Sequence, residues 1–329
     1  MMPRKQKFLQ LPLVGKVFLG VLACVYLVYL AGLANSAYTS FVANSSADAT
    51  VIEHPESTNS AAIFRHWTVA SMSQAIDEDE QIGNGTTVTS ENSNINAGKA
   101  AKQQGQAPKN GNVAYPISTV GKIFFTNAGG QDSMCSGTAV RSSNQSVVDT
   151  AGHCLYWNGG WVTNLIFCPL YENGSTPFGC WAARDLEVPA DWIHPKPNDY
   201  HHDFGMAIVS PNDQGKLTDV VGGAGWAYNQ TTKQTFSAYG YPAGYPFDGQ
   251  TRKSCEGSGN MWQHGDGTVV SIPCDMTGGS SGGPWYMKVG GDWYVNGHND
   301  FVSSIQRGHM FSPYYDDTWY ALYNKAQRS

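Results

Sequence analysis

The segment Gly278-Gly279-Ser280-Ser281-Gly282-Gly283-Pro284 constrains this chain more than any other. Glycine and serine in this proportion are common in flexible linkers. Here, however, they run straight into Trp285-Tyr286-Met287, an apolar stretch that reads as a buried strand. Lacking Cβ atoms, Gly279, Gly282 and Gly283 let the main chain turn sharply and lie close against another surface. Upstream, Thr150-Ala151-Gly152-His153-Cys154 follows the apolar pair Val147-Val148 and sets a histidine at the end of a strand. A serine hydroxyl is a weak nucleophile until an imidazole takes its proton, and the carbonyl oxygen it attacks needs donors as charge builds. Ser281 and His153 supply the first pair, and the N–H groups of Gly279 and Ser281 are candidates for the second. Between them, His202-Asp203-Phe204-Gly205-Met206-Ala207-Ile208-Val209 puts an acid at the head of an apolar strand. Asp199 and Asp149 are alternative acids, but neither opens such a strand.

These three motifs, in the order His, Asp, Ser, resemble the trypsin-like (chymotrypsin-fold) serine peptidases over roughly residues 113–329. The one departure in the serine motif is Ser280, where most members carry aspartate. The digestive enzymes pair that aspartate with a new N-terminus on activation; Ser280 cannot form the ion pair, so this switch is not expected here. Gly240-Tyr241-Pro242 and Asp275-Met276-Thr277-Gly278-Gly279 bring the chain closer to the bacterial V8-like, glutamyl-endopeptidase-like branch. The resemblance implies an exported serine endopeptidase acting through an acyl-enzyme on Ser281, with His153 as general base, Asp203 orienting it, and Gly279 and Ser281 as the oxyanion hole. It implies no cofactor and no metal.

Composition agrees with an extracellular β-rich domain. Charged residues make up 14% of the chain, against roughly 25% for a typical soluble protein, while 37 glycines, 10 tryptophans and 17 tyrosines suit many turns and half-buried strands. Short, turn-bounded strands are expected at 122–126, 137–140, 146–150, 161–167, 204–209, 235–241, 268–272, 285–288 and 293–296. Such spacing fits a sandwich or barrels, and the resemblance selects an all-β fold of two antiparallel six-stranded barrels, 113–215 and 216–329. Ser312-Pro313 reads as a helix start, giving one C-terminal helix over 314–327. The Gly-x-Ser-x-Gly pattern at 279–283 also suits the nucleophile elbow of an α/β-hydrolase esterase. In that fold the acid and histidine follow the serine, and here only Asp300 and His309 would be available.

Of 7 cysteines, Cys24 lies in an apolar N-terminal run and six remain, which permit 15 pairings. By resemblance Cys135 pairs with Cys154; proximity then suggests Cys168 with Cys180 and Cys255 with Cys274. Such bridges persist in oxidising compartments. Arg4, Lys5 and Lys7 precede the apolar run Val17–Ala34, the layout of a signal peptide or signal anchor over 1–34. Residues 35–112, rich in Ser, Asn, Thr, Ala and Gln with an acidic patch at 77–80, are expected to form no packed core. They read as a pro-segment removed near Lys109–Val113, or as a stalk if residues 17–34 tether the protein to the outer face of the membrane.

Specificity is carried less clearly. Asp275, six residues before Ser281, stands where trypsin-like enzymes bind Lys or Arg, and the V8-like branch also has aspartate there. Met276 occupies the position of that branch's carboxylate-binding threonine, and Gly297-His298-Asn299 offsets its histidine by one residue. Asp275, Met276, His298 and Asn299 are therefore the pocket candidates. His194, His201 and His202 invite a metal, but no carboxylate or cysteine at ligand spacing completes the set. Protein or peptide substrates and a monomer are expected. The formal net charge of -6 and the lack of a basic stripe argue against nucleic acid. A catalytically inactive homologue serving as a binding module would share the fold; an intact His153, Asp203 and Ser281 argue against it.

Overall fold

Asn127 shows how this chain makes a barrel from short strands. Its side-chain oxygen accepts from the N–H groups of Gly129 and Gln131, both at 3.0 Å, and Gly130 takes φ +81°. The chain thereby reverses between two strands whose apolar residues enter one core. In the computed structural model, which describes residues 50–77, 98–109, 114–194, 200–264 and 267–329, this hairpin belongs to the first of two β-structures. In chain order the first half contains β1 (Val51–Pro55), β2 (Ile76–Asp77), β3 (Ala101–Gln103), β4 (Val120–Thr126), β5 (Asp132–Ala139), β6 (Val147–Thr150), β7 (Tyr156–Trp157), β8 (Gly160–Trp161), β9 (Thr163–Pro169), β10 (Trp181–Pro189) and β11 (Gly205–Val209). Antiparallel ladders run β4-β5-β6-β11-β10-β9 and return to β4, closing a six-stranded barrel. Ile123, Phe125, Val148, Leu165, Phe167 and Trp181 fill it.

The second half contains β12 (Gly225–Tyr228), β13 (Thr235–Gly240), β14 (Lys253–Ser258), β15 (Asn260–His264), β16 (Gly267–Pro273), β17 (Pro284–Val289), β18 (Asp292–His298) and β19 (His309–Pro313). One sheet runs β14-β13-β17-β18-β12-β3 and another β15-β16-β19. Both contribute to a single core that includes Phe236, Ile272, Trp285, Met287 and Met310. The ladders are antiparallel except at two peripheral pairings, β12 with β18 and β2 with β5. All three expected disulfides form, Cys135–Cys154 as the resemblance implies and Cys168–Cys180 and Cys255–Cys274 as sequence proximity suggests.

Three expectations change. The segment expected to be structureless over 35–112 is packed where it is described. β1 extends the first barrel by pairing with β10, and β3 pairs with β12. Between β1 and β2, α1 (Ser60–His66) is capped by Asn59 and α2 (Val69–Gln74) by a Thr68/Ser71 capping box. These helices bury Ile63, Trp67 and Met72 against Phe124, Ile166 and Tyr171. A polar average composition hid three well-spaced core residues. The strand β10 was not anticipated because Arg184, Asp185 and Glu187 interrupt its apolar pattern. Glu187 is nonetheless fully buried, accepting from Ser329 Oγ at 2.6 Å with Lys325 Nζ at 3.4 Å.

The third change is at the C-terminus. Ser312-Pro313 ends β19 rather than starting a helix, and Ser312 Oγ accepts from the His298 N–H. The helix starts at Asp316, whose carboxylate caps Thr318 and Trp319, and spans Asp317–Ala326. It packs on β10 and β11 of the first barrel, so the last residues of the chain close over the barrel formed earliest in sequence. Two shorter helical turns, α3 (Ala190–Ile193) and α4 (Leu217–Val221), connect strands; the C-terminal helix is α5.

Because Trp67 lies 5% exposed and donates its indole N–H to the Asn164 carbonyl, Trp67→Ala is expected to lower the unfolding free energy by about 3–5 kcal/mol. Denaturant unfolding of the full chain measures this, and an unchanged midpoint would show that residues 50–77 add nothing to the fold.

Candidate active site

The β6/β11 register builds the first half of the site. Thr150 pairs with Gly205, so the chains just beyond these strand ends run past each other and bring Gly152 and His153 beside Asp203. Gly152 is needed there: a Cβ would lie 2.9 Å from both Asp203 Oδ1 and the Phe204 carbonyl. Asp203 Oδ1 accepts the His153 main-chain N–H at 2.7 Å, and Asp203 Oδ2 accepts from His153 Nδ1 at 2.7 Å. Both residues are fully buried. Burial alone would raise the Asp203 pKa. The adjacent His153, the hydrogen bond from it and a contact with the Asp300 carboxyl outweigh burial and hold Asp203 below the usual carboxylate range.

The second half is the loop carrying Ser281. Gly279 at φ +86° and Gly282 at φ +78° adopt left-handed backbone, which glycine takes without strain. Gly282 also presses against the first barrel, where a Cβ would meet Thr150 Oγ1 at 2.0 Å, Ser136 O at 2.5 Å and Ala151 N at 2.8 Å. The Ser281 carbonyl accepts from Ser136 N at 2.8 Å and lies 3.8 Å from the sulfur of Cys154, next to His153. The Ser281 hydroxyl donates to the Asp300 carbonyl at 3.3 Å, while the Asp300 carboxyl stands 3.6 Å from His153 Nδ1. Ser281, Asp300, Asp203 and His153 thus form one connected cluster. Ser280, where the resemblance would have aspartate, is buried and donates its hydroxyl to Thr277 O at 2.8 Å.

Of the four pocket candidates, Met276, His298 and Asn299 are turned into the protein. Asp275 is exposed beside the Cys255–Cys274 bridge, and Met276 is in the second-half core. Asn299 is fully buried as a clamp: its amide donates to Tyr239 O and Ser280 O and accepts from the Trp285 indole. His298 has one ring nitrogen on Asp203 O and the other on the Tyr315 hydroxyl, so neither faces a substrate. Asp275, Met276 and Asn299 lie in loops just beyond β16 and β18, where sequence spacing does not set the direction of a side chain. Asp149, an alternative acid in sequence, bonds to Tyr315 and Trp319 instead of His153; Asp199 lies outside the described residues.

Asp300 and Trp157 are the site residues that sequence reasoning missed as partners of His153. Asp300 had a signal, as an acid two residues after His298 at the end of a strand pattern. The Trp157 ring meets His153 edge to face at 6.3 Å, stacks on Trp192 at 5.9 Å, and walls a cavity of about 280 Å³ shared with Asn127, Gln131 and Val162. Among the described residues, two groupings carry enough ligand types for a metal. One contains the disulfide cysteines Cys135 and Cys154; the other is His153, Asp203 and Asp300, whose atoms already bond to each other. That arrangement suits proton transfer at a serine.

No protein-family model matches the chain, and no curated protein matches it. Solved structures do. A thermostable serine protease, AL20, from an extremophilic microorganism is 38% identical, with a TM-score of 0.59 over 65% of this chain and 98% of its own. The protease Anisep from Arthrobacter nicotinovorans is 36% identical, with a TM-score of 0.60 over 68% of this chain and 100% of its own.

Gly282→Ala tests the contact between the two halves. It is expected to leave the protein folded while slowing fluorophosphonate labelling of Ser281 about 100-fold, the scale of effect of a misplacement near 1 Å. An unchanged labelling rate would show that the contact does not position the serine.

Proposed function

This chain belongs to the serine proteases of trypsin-like fold, and we propose that it is an exported serine endopeptidase that cleaves peptide bonds through an acyl-enzyme on Ser281. The observation that carries this is the pair of 2.7 Å hydrogen bonds from His153 to Asp203 beneath a serine set in a glycine cradle. Asp203 accepts from Nδ1 and so leaves the other ring nitrogen of His153 as the proton acceptor. His153 takes the Ser281 proton as Oγ attacks the substrate carbonyl. The N–H groups of Gly279 and Ser281 meet the developing oxyanion, and His153 returns the proton to the leaving amine. Water, deprotonated by the same histidine, then hydrolyses the ester.

Gly240-Tyr241-Pro242 and the run 275–279 support assignment to the V8-like branch, although the placement of Met276, His298 and Asn299 removes the basis for a preference for glutamate. The protein works outside the cytoplasm in this reading, since three disulfides need an oxidising compartment. No helix among the described residues is long and apolar enough to cross a membrane; Val17–Ala34, read as signal or anchor, lies outside them. Processing near Lys109–Val113 would leave the β1 and β3 segments held on the domain by strand pairing.

Fluorophosphonate labelling followed by peptide mapping tests the proposal. Modification at Ser281 is expected. Ser281→Ala abolishes it and lowers peptide hydrolysis by several orders of magnitude. A folded protein that takes no label at Ser281 would refute the activity.

A further inference from the structure

Asp149 sits in the middle of β6, fully buried. Its Oδ1 accepts from the indole N–H of Trp319 at 3.0 Å, and its Oδ2 lies 2.5 Å from the Tyr315 hydroxyl. The same hydroxyl lies 3.0 Å from His298 Nδ1, and His298 Nε2 lies 3.0 Å from the main-chain carbonyl of Asp203. A chain of buried contacts therefore leads from Asp149 to the acid that holds His153.

The contacts along this chain fix how many protons it holds. The Asp203 carbonyl can only accept, so His298 Nε2 carries a hydrogen. Two contacts remain, Asp149 to Tyr315 and Tyr315 to His298, and each needs one proton. The Tyr315 hydroxyl has only one. The other belongs to the Asp149 carboxyl, or to His298 Nδ1 as an imidazolium. Burial decides between them by favouring the uncharged pair: it pushes Asp149 up to about 7 and His298 down to about 4. Asp149 is then a neutral acid donating to Tyr315, and Tyr315 donates to a neutral His298. If the proton leaves, one contact in the chain sets two lone pairs against each other.

We propose that Asp149, Tyr315 and His298 are positioning residues that share one proton and thereby hold the Asp203 main chain, and with it His153, in place. This rests on the assignment of Asp203 and His153 as acid and base. The titratable groups facing the trio are Tyr286, bonded to Thr119 and Thr138; Tyr323 on α5, bonded to Arg141 O; and Asp203 with His153 beside His298. Because the folded Asp149 holds its proton more tightly than an unfolded carboxyl, its contribution to stability is present below the ordinary carboxyl range. It is lost as pH rises through about 7.

Asp149→Asn is the decisive variant, since a carboxamide donates to Tyr315 and accepts from Trp319 as the neutral acid does. In the full chain it is expected to label at Ser281 within about threefold of the unsubstituted protein at pH 6, whereas Asp149→Leu labels at least roughly tenfold more slowly. On a Ser281→Ala background, which prevents self-digestion, Asp149→Asn is also expected to flatten the loss of unfolding free energy as pH rises from about 5 to 8. It should abolish the infrared carbonyl band of a protonated acid that disappears from its parent over the same range. Asparagine as damaging as leucine, or a pH dependence unchanged by the substitution, would overturn the proposal. Absence of labelling in the unsubstituted protein would overturn the peptidase assignment instead, and the stability and infrared readouts would still decide the protonation of Asp149.

Discussion

Gly282 lies where the serine loop meets the wall formed by Ser136, Thr150 and Ala151, at a separation that leaves no room for a side chain. Ser281 belongs to a loop feeding β17 in the second half of the molecule, whereas His153 and Asp203 belong to the closed first barrel. Their relation is set at this contact. The disulfide Cys135–Cys154 braces the same wall from within, and the Ser281 carbonyl is bonded to Ser136 N. A surface packed this closely passes small displacements on instead of absorbing them, so the position of the serine follows that of the histidine loop. The proposed chemistry depends on this because proton transfer from Ser281 would need a fixed geometry.

What could be read directly from the sequence was the part whose chemistry demands local backbone geometry. The glycines around Ser281, the strand ending at Thr150 and the acid ahead of Gly205 mark the site because each requirement is met within a few residues. Met276, His298 and Asn299 are turned inward by contacts that their spacing does not announce: Met276 by the core it enters, His298 by Ser312 and Tyr315, and Asn299 by Tyr239 and Trp285. Asp300 joins the cluster through its contacts with Ser281 and His153, which only the fold brings together.

The same division applies to the fold. Strands with clean apolar runs, such as 204–209 and 268–272, were found nearly to their ends. β10 was not, because its Glu187 is neutralised in the interior by groups from the extreme C-terminus, Lys325 and Ser329. Ser312-Pro313 resembles a helix start locally, but its pairing with β16 outweighs that signal, and Asp316 caps the helix instead. The segment before the peptidase domain illustrates composition misleading in the other direction. Residues 35–112 are polar on average, yet within them Ile63, Trp67 and Met72, with the β1 ladder, hold residues 50–77 on the barrel.

The acid, base and serine stand in the chain as a connected set whose arrangement assumes that Ser281 is reactive. A crystal structure of the phosphonylated protein tests this most directly. The account requires phosphorus on Ser281 Oγ, one phosphonyl oxygen roughly 2.7–3.1 Å from the N–H groups of Gly279 and Ser281, and His153 still paired with Asp203. An adduct on another residue, or an oxygen turned away from both N–H groups, would contradict it.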